Sequence, residues 1–206
     1  MRAFIGFGDL GQQVAELLTP EMPDDVYFDD LLHEEGDSGA LPFSRYLEEA
    51  FRDYEFYVCL GYRQMDRKLS ILRELEDAGR HLPVLIHNSC QISVSSSVGV
   101  GSILYPRALL DKEVRIGRGV LLNNAVTVSH NSEIGDASYL SPGVTMCGNV
   151  RVGERTFIGA GSVISDGVSI GHSVTVGIGT VVTRDIPSGV SVIGNPMRVL
   201  DGTLSI

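Results

Sequence analysis

The chain has 206 residues, 43% of them hydrophobic and 20% charged, which is enough apolar material for one or two small globular domains. The opening MRAFIGFGDL lacks a basic stretch followed by a long apolar run and a cleavage site, and no segment reaches about 18 uninterrupted apolar residues, so neither secretion nor a membrane span is expected. Residues 1–91 hold 18 acids and 8 bases while residues 92–206 hold 8 of each, which argues against nucleic acid as a partner and leaves backbone N–H groups, rather than a basic patch, to hold any phosphorylated ligand.

Taken in chain order, Arg2-Ala3-Phe4-Ile5 reads as a short strand and Gly6-Phe7-Gly8-Asp9-Leu10-Gly11 as G-x-G-x-x-G. A helix over Gln12 to Leu18, closed by Pro20, follows. Val26-Tyr27-Phe28 is a second strand ending on Asp29-Asp30, about 20 residues after the glycines. Strand, glycine loop, helix, strand and acid form the order of a nucleotide-binding βαβ unit, in which Gly8 and its neighbours let the backbone approach a pyrophosphate and an acid accepts from ribose or base. A third strand, Phe56 to Leu60, ends on Gly61, and a helix over Arg67 to Gly79 follows. The unit is too small for a whole dinucleotide fold, so a nucleotide-sugar suits it better than NAD. The expected division is a Rossmann-like α/β nucleotide-sugar-binding domain over residues 1–85 and a second domain over residues 86–206. Cys59, Cys90 and Cys147 stand at no metal-like spacing and read as buried, reduced thiols of a cytoplasmic protein.

From Ile92 the chain steps by six through sixteen aliphatic residues, Ile92, Val98, Leu104 and onward to Val182. The residue four later is Ser, Ala, Thr, Val or Ile, and glycine often follows the aliphatic, as in Val98-Gly99, Ile116-Gly117 and Ile134-Gly135. No single helix or strand has a period of six; a short strand plus a tight corner does. Three hexads make one triangular coil of 18 residues, with each aliphatic inside the prism and glycine permitting the corner dihedrals. Sixteen hexads predict about five coils, a left-handed parallel β-helix roughly 25 Å tall at ~4.8 Å per layer. Because its flat faces need covering, a homotrimer is expected. The register runs unbroken to Pro187, so any chemistry belongs on the coil surfaces; after it Ser188-Gly189 and Ile193 to Pro196 read as turns, and Arg198 lies in a short tail.

The glycine loop, Tyr27-Phe28-Asp29-Asp30, Leu60-Gly61-Tyr62, Leu85-Ile86-His87-Asn88-Ser89, and hexads holding Ser129-His130 and Cys147-Gly148-Asn149-Val150 together resemble the bacterial sugar acetyltransferases of the sialic-acid O-acetyltransferase and bacillosamine N-acetyltransferase family. The resemblance implies a hexapeptide-repeat acyltransferase that uses acetyl-CoA on a nucleotide-linked amino sugar, for glycan or surface-polysaccharide synthesis. By that resemblance His130 is the catalytic histidine, Tyr139, Gly148, Ala160 and Ile178 contact acetyl-CoA, and Leu10, Gly11, Gln12, Asp29, Asp30 and Gly61 contact the nucleotide-sugar. Departures are Asn131 where an acid often follows the histidine, Tyr139 where some members have a histidine, and Leu10 where a histidine is common.

The repeat register can be set against these assignments. His130 and Gly148 differ by 18 and stack on adjacent coils; Ala160 and Ile178 also differ by 18 and form a second column two faces on from Gly148. A long ligand lying between two chains of a trimer could touch one column from each. Histidine is the usual base for an amine or hydroxyl attacking a thioester, and the Gly148 N–H is placed to meet the oxyanion. Asn123 either orients the sugar or the ring or is a buried structural amide. His130 and His172 differ by 42, not a multiple of 18, and no third histidine joins them, so no metal is expected. N-acetylation with His130 as base leads; O-acetylation of a sugar or other small hydroxyl acceptor, and a catalytically weak β-helix binding protein, are the alternatives.

Overall fold

The computed structural model describes residues 1–18, 24–36 and 39–200. Pro20, expected to close the first helix, lies outside them. The chain divides into two compact units, Met1–Pro83 and Val84–Ile206.

In the first unit β1 (Arg2–Ile5), β2 (Val26–Phe28), β3 (Ala40–Leu41) and β4 (Glu55–Val58) form one parallel sheet in the order β3-β2-β1-β4. Strand β1 lies in its interior, which is why Ala3, Phe4 and Ile5 are an uninterrupted apolar run with no exposed surface. Helices α1 (Asp9–Leu17), α2 (Asp30–Glu34) and α3 (Met65–Asp77) follow β1, β2 and β4. The chain leaves β1 for β2 on one side and β4 lies on the other, so the order reverses at β1 and opens a crevice at the carboxyl ends of the strands. Helix α3 buries Leu69 and contributes Ile71, Leu72 and Leu75 to the core that holds Phe28, Phe51 and Phe56. It also buries Lys68, which is only 2% exposed.

The second unit is a left-handed parallel β-helix of about six turns. Two-residue strands pair at 18-residue intervals on three faces: one holds Leu121–Leu122 and Tyr139–Leu140, the next Thr127–Val128 and Thr145–Met146, the third Glu133–Ile134 and Arg151–Val152. The expected inward residues, Leu104 to Val182, fill the prism. It is taller than the five coils expected because pairing begins earlier, at Leu85–Ile86 on Ile103–Leu104. It also ends later. Between the turns expected at Ser188-Gly189 and at Ile193 to Pro196, Ser191–Ile193 is a strand that pairs with Thr175–Val176 and, antiparallel, with Arg198–Leu200, the segment expected to be a short tail.

The corners correct the reading of the glycines. Positive φ recurs every six residues, at Gly101, Arg107, Glu113, Gly119, Ala125 and Asn131 and onward to Gly179, two residues after the glycines that follow the aliphatics. Gly99, Gly117 and Gly135 are needed for another reason: an added Cβ would lie 2.5–2.6 Å from atoms of the next coil. They permit close stacking, while the corner conformation is carried by whichever residue tolerates it. Hydroxyls at the small inward position bridge coils. Ser132 Oγ, for instance, donates to the Cys147 carbonyl at 3.2 Å and accepts the Val150 N–H at 3.1 Å. Among the cysteines only Cys59 is buried; Cys90 and Cys147 are partly exposed, and all three are free thiols.

Candidate active site

The expected residues fall into two sets, one in each unit. In the first unit, a cleft of about 610 Å³ opens at the carboxyl ends of β1, β2 and β4 and is lined by Gly8, Leu10, Asp29, Asp30 and Gly61. The three glycines of the loop do different work. Gly6 takes φ +87 in the turn out of β1, Gly8 has open space where a side chain would stand, and Gly11 packs so closely that a Cβ would lie 2.3 Å from the Gly6 carbonyl oxygen. Gly8 is therefore the point at which a ligand can approach backbone. Gly11 is buried and Gln12 is turned to the Phe7 carbonyl at 3.4 Å; neither lines the cleft.

The two acids are held by the protein itself. Asp29 Oδ2 accepts the Phe7 N–H at 2.7 Å, and its Oδ1 accepts Leu31 and Leu32 N–H as the cap of α2. Asp30 Oδ1 accepts the Phe43 N–H at 2.7 Å, and its Oδ2 accepts from Arg67 Nη2 at 3.2 Å. Arg67 in turn lies 4.4 Å over the Phe43 ring. Arg63 and Arg67 both line the cleft, so the expectation that backbone N–H groups rather than a basic patch would serve a phosphorylated ligand left out two cations that stand beside the loop. A charge count over 91 residues averages two local cations away; their spacing of four, with Arg63 in the turn that follows Gly61 and Arg67 in the first turn of α3, was the signal.

In the second unit His130 stands exposed at the corner between the Thr127–Val128 face and the Glu133–Ile134 face. Its ring lies against Gly148 one coil above. A Cβ on Gly148 would be 2.4 Å from His130 Cε1, 2.6 Å from its Nε2 and 2.8 Å from Asp166 Oδ1, so the imidazole and the carboxylate flank one small space that only glycine leaves open. Among the described residues the Gly148 N–H makes no hydrogen bond, because the coil ladder at this corner runs through its neighbours, Cys147 N–H to Ile164 and Asn149 N–H to His130. At the other ring nitrogen, Nδ1 is 3.0 Å from Asn131 Oδ1, and Asn131 Nδ2 donates to Glu113 Oε2 on the coil below at 2.5 Å.

Tyr139, Asn123, Ala160 and Ile178 collect one face away. Asn123 Nδ2 donates to Tyr139 Oη at 3.1 Å, so this amide is tied to a neighbouring side chain and does not touch the imidazole; Tyr139 stacks on Phe157 at 5.7 Å. Ala160 and Ile178 follow on the coils above, Ile178 being 69% exposed. Within one chain these residues and His130 lie on opposite edges of the face made by Thr127–Val128 and Thr145–Met146. Glu113, Arg63 and Arg67 are the site residues that sequence reasoning missed.

The family described as hexapeptide repeat of succinyl-transferase matches residues 149–184. The acetyltransferase domain of PglB from Neisseria gonorrhoeae FA1090 is 30% identical over 96% of this chain and 98% of its own, with a TM-score of 0.85, and has been solved in complex with acetyl coenzyme A. PerB from Caulobacter crescentus, solved with CoA and GDP-perosamine, is 27% identical over 96% of each chain with a TM-score of 0.84. WeeI from Acinetobacter baumannii AYE is 25% identical over 97% of this chain and 99% of its own, with a TM-score of 0.86. The likeness extends over both units and not only over the hexads, and the chain belongs to the bacterial sugar acetyltransferases of the hexapeptide-repeat family.

Proposed function

We propose that the chain transfers the acetyl group of acetyl-CoA to the amino group of a nucleotide-linked amino sugar, with His130 as the general base. The observation that carries this reading is the His130 ring laid against Gly148, a residue whose backbone N–H has no partner among the described residues. An amine whose nitrogen adds to the thioester carbonyl makes a C–N bond and an oxyanion; the Gly148 N–H is the donor for that oxyanion, and Nε2 takes the amine proton. Collapse breaks the C–S bond, and the proton leaves with the CoA thiol. The reading is supported by the acetyl coenzyme A bound to the PglB domain and by the CoA and GDP-perosamine bound to PerB.

The cleft of the first unit is the proposed seat of the nucleotide, with Gly8 offering backbone and Arg63 and Arg67 offering charge to its phosphates. The edge bearing Tyr139, Ala160 and Ile178 is the proposed seat of CoA. Since that edge and His130 are a face apart in one chain, we propose a homotrimer in which neighbours bring the two edges together. A cytoplasmic location, where acetyl-CoA and nucleotide-sugars are available, goes with this reaction.

The test is thiol release from acetyl-CoA with GDP-perosamine and a panel of UDP- and GDP-linked amino sugars, each beside its hydroxyl counterpart. Amide product resists alkaline hydroxylamine and ester product does not. Turnover confined to amino acceptors is expected, with His130→Ala lowering kcat by roughly 10²- to 10⁴-fold. Turnover of hydroxyl acceptors alone would move the reaction to O-acetylation, and full activity without His130 would remove the base.

A further inference from the structure

An imidazole serves as a base at Nε2 only if its proton sits on Nδ1, and something must hold it there. Asn131 Oδ1 is the partner of Nδ1 at 3.0 Å, but an amide can present either its oxygen or its NH₂ group to a ring nitrogen. Its orientation is decided at the other end. Glu113 Oε2 lies 2.5 Å from Asn131 Nδ2, and an ionised carboxylate can only accept, so the NH₂ must face Glu113 and the oxygen must face His130. The backbone leaves Asn131 little choice of place: it holds φ +59 at the corner, and its N–H donates to the Lys112 carbonyl at 3.0 Å.

We propose that Glu113 is a positioning residue for the transfer, acting through Asn131 to hold His130 in the tautomer whose Nε2 lone pair faces the Gly148 corner. This rests on the reading of His130 as base. The carboxylate that often follows the histidine in the family is here supplied from one coil below, with an amide between. Without it the amide is free to turn, offer NH₂ to Nδ1 and drive the proton onto Nε2, where the ring cannot accept another. The other charged groups around this corner are Asp111, Lys112 and Arg115 on the lower coil, Glu133 on the coil of His130, and Arg151 and Asp166 above.

The experiment compares Glu113→Gln, the double variant Glu113→Gln/Asn131→Asp, and His130→Ala, each checked for an unchanged melting temperature. The double variant restores the donor and acceptor order, with a carboxylate at position 131 accepting from both Nδ1 and the new amide. Ring ¹⁵N shifts of His130, recorded on free protein, report the tautomer without any substrate. Glu113→Gln is expected to convert the ring partly to the Nε2–H form, to lower kcat roughly 10- to 100-fold with the KM for acetyl-CoA unchanged, and to move the acidic limb of kcat/KM to lower pH, because imidazolium loses a nearby negative charge. The double variant is expected to recover most of the loss. An unchanged tautomer and kcat in Glu113→Gln, while His130→Ala is inactive, would overturn the role of Glu113 and leave the base in place. Failure of the double variant to recover either readout would also overturn it. A fully active His130→Ala would overturn the base itself, with the ¹⁵N shifts still showing whether Glu113 sets the ring.

Discussion

Gly148 is the residue on which the geometry of the histidine corner turns. Because a methyl group there would lie 2.4 Å from His130 Cε1, Gly148→Ala must push the ring out of its place over the corner. A displacement of ~1 Å at a reacting group costs on the order of 10²-fold in rate, so kcat for Gly148→Ala is expected to fall about that far. Folding is expected to survive, since the corner is at the surface and His130 can swing into solvent. Steady-state kinetics beside a thermal melt check this; a variant with parental kcat would mean that the ring position seen here is not the working one. Asn131 and Glu113 illustrate why residue-level chemistry is hard to read in a linear sequence. Asn131 stood out as a missing acid, yet Glu113, 18 positions earlier, lay on the next coil the whole time.

Elements carry the second set of consequences. In α3 the aliphatic stripe Leu69, Leu72 and Leu75 explains the helix, but Lys68 is buried beside it, and burial pushes its ammonium down to about 8. The same burial raises Cys59 to about 12, so it remains a neutral thiol. In the unfolded chain a lysine titrates near ~10.4. The unfolded state therefore holds more protons than the folded one between the two values, and stability rises with pH across that window. Below about 8 the cost of the buried amine is present in full. Lys68→Met is expected to raise stability at neutral pH by about 1–3 kcal/mol, a gain that shrinks as pH climbs toward ~10. Urea unfolding of both proteins at pH 7 and pH 10 measures it. A gain that is the same at both pH values would show that the effect is packing and not charge.

At the scale of the whole molecule, the faces of the β-helix differ in what they show to solvent. Arg115, Glu133 and Arg151 run up one, with Arg115 Nη1 2.8 Å from Glu133 Oε1. Leu109, Thr127, Thr145, Val163 and Val181 run up the next without a charge, Val163 being 39% exposed. That uncharged face, bounded on one edge by His130 and on the other by Ala160 and Ile178, is the one a second copy is expected to cover. Sedimentation is expected to give about three times 22.2 kDa. Val163→Arg, which would bury a cation in such a contact, is expected to shift the distribution to smaller species and lower turnover with it. A parental trimer in Val163→Arg would place the contact elsewhere, and an active monomer would end the shared-site argument.

The sixfold aliphatic step determined the solenoid from sequence alone, because an inward position must be apolar wherever a coil closes, and the repetition makes each hexad confirm the others. The βαβ order of the front unit was legible for a similar reason: the apolar run of β1, the glycine loop and Asp29 at the end of β2 are local demands of one turn. Gly148 one coil above His130 could be read as well, once 18 was known to be the coil. Only the tertiary structure decided the rest. Whether Asp29 and Asp30 are idle or held by Phe7, Phe43 and Arg67 depends on contacts between elements far apart in the chain. So does the clustering of Arg63 and Arg67 at the cleft, which a balance of charges along the chain hides. The orientation of Asn131 depends on a carboxylate one full coil away, and side-chain hydrogen bonds of that kind obey geometry in three dimensions and leave no period in the sequence.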